Sequence, residues 1–448
     1  MRILFLLSFI LLQISTTQAV NVDSITRRLF ANISPDGTTR GVVVASPSRE
    51  NPNYFYHWIR DAALVMNVVN DLYIREQDPI KKNLLKEMMI DFAVFSKDNQ
   101  QRFTLSGLGE PKFYVDGRGY DEPWGRPQND GPALRAITLI NFANSLIESG
   151  EEELVRSLLY SADFSAQSVI KTDLEYVSHH WREASFDYWE EVIGSHFSTL
   201  LAQRRSLLMG ADLAIKLNDP LAAKWYNKQA LLLENEINLH WDEGRNHIVH
   251  SRNTHHHRGG LDIATILGVL HSAGSDNFYN VTNDRVLATS THLKNSFKNI
   301  YKINKDSNLG VAIGRYPEDT YDGVRTDSLG NPWFLATLAY AEYYQKVKKS
   351  FLKKGRIEIN ETNKVFFSEL LGNSITSNIK AINIKSKLGK NLVRVLDSQI
   401  ESIYKRVNYH SSRSGSIAEQ MNRDNGYMQG ARDLTWSYAS YLSALLSK

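Results

Sequence analysis

Ser185-Phe-Asp-Tyr-Trp-Glu-Glu-Val192 holds the plan of the whole chain in eight residues. Asp187, Glu190 and Glu191 surround Trp189, and an amphipathic helical run follows at once. The same design, a polar and aromatic opening onto a markedly apolar helix, recurs at His57-Trp-Ile-Arg-Asp61, Gly125-Arg-Pro-Gln-Asn-Asp-Gly-Pro132, Arg258-Gly-Gly-Leu-Asp262, Gly330-Asn-Pro-Trp333 and Ala431-Arg-Asp-Leu-Thr-Trp436. The openings are spaced by roughly 60–75 residues, with one longer gap before the last. More polar helices fill the intervals; the stretch from Ala222 to Ile237 has one apolar and one charged face. Strand-like alternation is sparse. Apolar helices alternating with amphipathic ones predict an all-α fold, an (α/α)6 barrel of six inner and six outer helices. Its functional residues would gather in the loops at one end.

Composition narrows the function classes. The net charge of +3 on 448 residues is too balanced for a nucleic-acid or anionic-membrane partner. The lysines around Lys346–Lys354 and Lys380–Lys390 read as solvated helix faces. Met1-Arg2, the apolar run from Ile3 to Leu12 and the small residues of Thr17-Gln-Ala19 form a secretory leader cleaved after Ala19. That run is about ten residues, half of what a bilayer span requires. Residues 20–448 are then expected as a single catalytic domain, secreted and monomeric, since no Pro/Ser/Thr-rich linker interrupts them. The chain has no cysteine, so a secreted form must be held together by its core. Asn32, Asn280 and Asn360 each begin an Asn-X-Ser/Thr glycosylation triplet.

The chemistry-bearing residues cluster in the helix openings. Adjacent carboxylates beside an aromatic wall repel and desolvate one another, which can hold a proton on one of them near neutral pH, as a general acid requires. The competing reading is a solvated acidic helix start, favoured by the helix dipole. Trp58, Trp124, Trp189, Trp333 and Trp436 lie in or beside the openings, where they suit the apolar faces of sugar rings; as plugs they would instead close the barrel end. Arg60-Asp61 and Arg315-Tyr-Pro-Glu-Asp319 are forks of mixed sign that fit vicinal hydroxyls better than phosphate. Glu419, in Ser414-Gly-Ser-Ile-Ala-Glu-Gln420, precedes the last inner helix and should face the same end as Glu190. Two carboxylates brought together from distant loops are the equipment of glycoside hydrolysis. His255-His-His257 has no carboxylate or cysteine at ligand spacing, so no metal is expected. No nucleotide-binding glycine loop or nucleophile elbow is present, and no cofactor is expected.

An ordered set of motifs through nearly the whole mature chain resembles the glucoamylases of glycoside hydrolase family 15. It comprises Tyr54-Phe-Tyr-His-Trp-Ile-Arg-Asp61, Gly107-Leu-Gly-Glu-Pro-Lys-Phe113, Trp124-Gly-Arg-Pro-Gln128, Asp130-Gly-Pro-Ala-Leu-Arg135, Trp189-Glu-Glu191, Gly314-Arg-Tyr-Pro-Glu-Asp-Thr-Tyr321, Asn331-Pro-Trp-Phe334 and Ala431-Arg-Asp-Leu-Thr-Trp-Ser-Tyr438. The resemblance implies an (α/α)6 barrel and an inverting hydrolase that releases β-glucose from non-reducing ends of α-1,4 and, more slowly, α-1,6 glucans. Starch, glycogen and maltooligosaccharides would be its substrates.

By the same resemblance Glu190 is the general acid, Glu419 the base that activates water, and Asp187 a nearby carboxylate of the catalytic group. Arg60, Asp61 and Arg315 would hold the terminal glucose with Trp436 beside it. Trp124, Glu191 and Tyr321 would line the acid's surroundings and the next sugar position, and Tyr54 and Trp58 would belong to the same wall. Two features depart from the pattern: Tyr188 stands where a smaller aliphatic residue is expected, and roughly five residues are inserted between Tyr321 and Asn331. The Ser/Thr-rich linker and starch-binding module of many relatives are not found in the sequence. Two alternatives remain at this stage, another inverting α-glucosidase directed at dextran or trehalose, and a non-catalytic glucan-binding relative.

Overall fold

The computed structural model describes residues 22–448 apart from 256, 257, 273, 275 and 307; the leader expected over residues 1–19 lies outside the described residues. Helices dominate. In chain order they are α1 (Val22–Ala31), α2 (Ile59–Arg75), α3 (Pro79–Gln101), α4 (Asp130–Glu148), the single turn α5 (Glu152–Leu154), α6 (Val169–His180) and α7 (Phe197–Lys216). The remainder are α8 (Pro220–Asn238), α9 (Ile263–Ser272), α10 (Asp284–Phe297), α11 (Phe334–Lys354), α12 (Lys364–Leu371), α13 (Lys387–His410) and α14 (Thr435–Leu446).

Packing sorts these helices into two rings. Helices α2, α4, α7, α9, α11 and α14 each pack on the next in that order, and α14 returns to α2, which closes an inner ring. Outside it, α3 packs on α2, α6 on α4 and α7, α8 on α7, α10 on α9, α13 on α11, and α1 on α14. Each opening segment read from the sequence leads into one inner helix. The arrangement is the expected (α/α)6 barrel.

Burial explains why each sequence takes its ring. In α9 every residue from Ile263 to Leu270 is buried, as is every residue of α4 from Asp130 to Ile140, so these helices need apolar or paired side chains all round. In α13 the buried apolar positions are Leu392, Leu396, Ile400, Ile403 and Val407, a single stripe at steps of three and four. In α8 the buried residues are Ala222, Ala223, Tyr226, Gln229, Ala230, Leu233 and Ile237, the one-faced pattern read from that stretch. Side-chain caps open the outer helices α3, α8, α10 and α13. Asp78 accepts from the Ile80 and Lys81 N–H groups ahead of α3, and Asp219 from Ala222 N–H ahead of α8, each followed by proline at the first helical position.

Two sequence readings change in the structure. Asn32 is only 4% exposed and donates to the Asp433 carbonyl and the Thr435 hydroxyl, so its glycosylation triplet lies inside the fold. The carboxylates of Asp187, Glu190 and Glu191 do not begin a helix. They occupy a turn between the short strands Ser185–Phe186 and Ile193–His196, and α7 starts only at Phe197. Among the described residues no helix is long and apolar enough to cross a membrane.

Candidate active site

The N-terminal ends of the inner helices meet at one end of the barrel, around a cavity of about 370 Å³. Arg60 and Asp61 reach it from the first turn of α2, Trp436 from the first turn of α14, and Trp124, Glu190, Glu191, Arg315, Tyr321 and Glu419 from segments that lead into inner helices. Tyr54 and Trp58 complete the wall. Every site residue assigned by the family resemblance except Asp187 lines this one space.

Glu190 projects from the turn between the two strands. Its backbone is left-handed, with φ +65°, and its N–H donates to the Asp187 carbonyl at 2.9 Å. Oε1 accepts from Gln128 Nε2 at 3.0 Å and from Arg60 Nη2 at 3.3 Å. Burial raises the Glu190 carboxyl above the ordinary glutamate value, although Arg60, Gln128 and Lys112 pull it down. The result is a carboxyl that holds its proton to a higher pH than a solvated one.

Asp187 has a different place. It is fully buried, and Oδ1 accepts from the N–H groups of Glu191 at 2.8 Å and Val192 at 3.0 Å. Oδ2 accepts from Arg258 at 2.9 Å. Burial alone would raise this carboxyl, but Arg258, His196 and the two N–H groups reverse the effect and hold it below the usual range. Asp187 therefore staples the turn from behind and does not enter the cavity with Glu190.

Glu419 comes from the other side of the mouth and is fully buried. Oε2 accepts from Ala431 N–H at 3.3 Å, while among the described residues no donor meets hydrogen-bond geometry at Oε1, the Tyr54 side chain being near enough only to pull on the carboxyl. Burial pushes this carboxyl up to about 8, against the opposing pull of Ala431 N–H, Arg315 and Tyr54. Gly430 makes the close packing possible. It has φ +74°, and a Cβ there would lie 2.1 Å from Glu419 Oε2. The two cavity carboxylates thus sit in environments that both favour a proton, one hydrogen-bonded to an arginine and one with an acceptor free.

Fixed charges and rings surround them. Arg60 Nη1 donates to Gln128 and Asp130, and its Nε lies 3.6 Å from Asp61 Oδ2. Arg315 grips Asp319 with two arms, and its Nη2 also lies 2.8 Å from Glu191 Oε1. Such pairing offsets part of the cost of burying each charge. Burial raises the Asp61 carboxyl to about 6 although Arg60 opposes it. Tyr54 and Trp58 meet edge to face at 5.5 Å, Trp58 and Trp124 lie at 5.9 Å, and Trp189 and Trp333 at 5.7 Å. Tyr188, the departure noted in the sequence, lies in the floor 6.5 Å from the Trp436 ring. The insertion after Tyr321 contributes Thr326 to the rim. It is tied to the segment behind Glu419, because the Asp322 carbonyl accepts from Gln429 Nε2 at 2.7 Å.

Sequence reading gave no role to Lys112. It is 2% exposed, with Nζ 3.6 Å from the centroid of Trp124, 3.9 Å from Tyr120, 4.2 Å from Tyr56 and 4.6 Å from Trp58. Desolvation lowers its ammonium to about 8, and Glu190 works against that. Desolvated cation–π contacts of this kind contribute about 2 kcal/mol. Some of the ring faces assigned to sugars are therefore directed at a cation. The signal was the lysine embedded in Gly107–Phe113, apolar in every other respect except Glu110. Gln128 and Arg258 likewise stand inside motifs that give them no separate signal in the sequence.

Among the described residues no group of three or more His, Asp or Glu side chains could hold a metal ion; His256 and His257 lie outside the described residues.

Known proteins resemble this chain in sequence and in fold. The family described as Glycosyl hydrolases family 15 matches residues 25–446. A glucoamylase of Blastobotrys adeninivorans is 39% identical over 435 residues, which cover 94% of this chain and 69% of that protein. A probable glucoamylase of Schizosaccharomyces pombe is 35% identical over 406 residues, 90% of this chain and 84% of the relative. The solved glucoamylase of Saccharomycopsis fibuligera superposes with a TM-score of 0.86 at 32% identity, covering 94% of this chain and 93% of that one. A solved glycosidase at 13% identity, with a TM-score of 0.59, shares the fold alone.

Proposed function

On the premise that the chain belongs to glycosyl hydrolase family 15, we propose that this glycoside hydrolase is an exo-acting, inverting glucoamylase. Its substrates are the non-reducing ends of starch, glycogen and maltooligosaccharides, with α-1,4 bonds cleaved faster than α-1,6 bonds. Residues 20–448 act as a secreted, monomeric catalytic unit. The observation that carries the reading is the pair Glu190 and Glu419. They are carboxyls from distant segments that line one cavity among aromatic rings and fixed charges; burial raises Glu190, as a proton donor requires, and Glu419 presents an oxygen open to water.

In this mechanism the terminal glucose enters first and lies against the floor of Tyr188 and Trp436. Asp61, Arg60 and Arg315 orient its hydroxyls. Glu190 gives its proton to the glycosidic oxygen as the C1–O bond breaks. Glu419 accepts a proton from the water that attacks C1 on the opposite face, so the oxygen of that water becomes the anomeric hydroxyl and the configuration inverts. The unpartnered Oε1 of Glu419 is the acceptor available to such a water. Trp124, Glu191 and Tyr321 border the next sugar unit. Asp187 supports the acid's turn without touching sugar.

The stereochemical test is direct. Proton NMR of a maltotetraose digest at early times is expected to show β-glucose before mutarotation, with maltotriose as the other product. α-Glucose appearing first, or early maltose, would overturn the inverting or the exo part of the reading. Parallel rates on isomaltose and trehalose separate the rival α-glucosidase specificities.

A second expected result concerns Gly430. Its alanine variant must displace the Glu419 carboxylate, since the added methyl overlaps Oε2. Misplacing a reacting group by about 1 Å costs on the order of 10²-fold. Gly430→Ala is therefore expected to lose about that factor in kcat while keeping the far-ultraviolet dichroism of the barrel. Wild-type turnover by this variant would remove Glu419 from the reaction.

A further inference from the structure

The segment from Arg258 to Asp262 leads into α9, yet none of its residues lines the cavity. Its two charged residues instead reach the Glu190 turn from behind. Arg258 Nη1 donates to Asp187 Oδ2 at 2.9 Å and Nη2 donates to Glu191 Oε2 at 2.5 Å. The guanidinium lies over the Tyr316 ring at 3.8 Å, and the Tyr316 hydroxyl donates to the same Glu191 oxygen. Asp262 is 3% exposed and accepts the Trp189 indole N–H at 3.0 Å on each of its oxygens.

We propose that Arg258 is the positioning residue of Glu190, a role that rests on the reading of Glu190 as the proton donor. One planar fork grips residue 187 and residue 191, the two ends of the turn that Glu190 occupies. A left-handed backbone at a non-glycine residue persists only where its surroundings over-determine it, and Glu190 stands at φ +65°. Arg258 supplies that constraint from outside the cavity, and Asp262 adds to it by fixing the indole of Trp189. Arginine is required because two carboxylates in different directions need paired, coplanar donors; an ammonium offers a single point charge. The loss of Arg258 should therefore move the acid, while Glu191 stays held at the sugar-binding wall by Arg315 and the Tyr316 hydroxyl.

The test uses the full chain with maltose, the wild type alongside. Arg258→Ala is expected to lower kcat by about 10–100-fold, the scale of a misplaced reacting group, while KM changes by less than about threefold. Guanidinium at low concentration should restore kcat saturably, whereas methylammonium should not. The alkaline limb of the rate profile should also move. Arg258→Lys, which keeps the charge and loses the fork, should show the same split between kcat and KM. It is the variant to read if the alanine protein does not fold. Wild-type kcat in the lysine variant overturns the proposal, as does a KM rise that matches the kcat loss or a loss that guanidinium does not relieve. A wild type inactive on every maltooligosaccharide would instead overturn the reading of Glu190, and this role with it.

Discussion

Glu190→Gln is expected to lower kcat on maltotetraose by about 10²–10⁴-fold, the usual contribution of general acid catalysis, with little change in KM. Glutamine keeps the shape of the side chain, and its carbonyl oxygen can still accept from Gln128 and Arg60 as Oε1 does now. What disappears is the acidic proton, so the loss isolates the chemical step. The choice of leaving group sharpens the test. α-Glucosyl fluoride departs without protonation, so the variant should retain far more of its activity on the fluoride than on maltotetraose. Equal losses on both substrates would mean that Glu190 does something other than protonate the leaving oxygen. The sign of the pH effect follows from the raised carboxyl. The acid works while protonated, so activity falls as pH rises through its value, which burial has moved upward.

The sequence disclosed the barrel because ring position and residue pattern are physically linked. A helix enclosed by neighbours must be apolar or paired all round, as α4 and α9 are, while an outer helix shows one stripe, as α13 does. The six openings could be counted because aromatic and charged residues cluster where inner helices begin. The cavity wall was legible for the same reason, and eleven of the residues named from motifs meet in one space.

What the sequence hid depended on contacts between distant segments. The strand Ile193–His196 exists because it pairs with Ser185–Phe186 on one side and with Ser251–Arg252 on the other. Local pattern alone continued the helix back to the carboxylates. The direction of Asp187 depends on a left-handed backbone at Glu190, which no spacing rule reveals. The cage around Lys112 assembles rings from positions 56, 58, 120 and 124. Arg258 was visible only as part of a helix opening, because its partners lie at positions 187 and 191. Side-chain identity was readable; side-chain direction was not.

Glu419→Gln should cost as much activity as Glu190→Gln, about 10²–10⁴-fold, and should also make the protein more stable. The folded carboxyl lies at about 8, whereas an unfolded glutamate lies near 4.3. The folded state therefore binds the proton more tightly. The stability tied to that proton is fully present below about pH 4.3 and is lost as pH rises through about 8. The loss is on the order of 5 kcal/mol by linkage, the penalty of keeping a buried carboxylate with one oxygen unpartnered. Glutamine is neutral throughout and escapes it. The difference in melting temperature between variant and wild type should be small at pH 4 and grow toward pH 8, with the variant the more stable. Removal of a strained functional group commonly stabilises a fold in this way. Activity on α-glucosyl fluoride separates the two glutamates, because water must still be activated and the glutamine variant at position 419 should not be spared. A variant that melts with the wild type at every pH would mean that Glu419 is not held as a buried acid. One that hydrolyses the fluoride at the wild-type rate would mean that the attacking water gives its proton elsewhere.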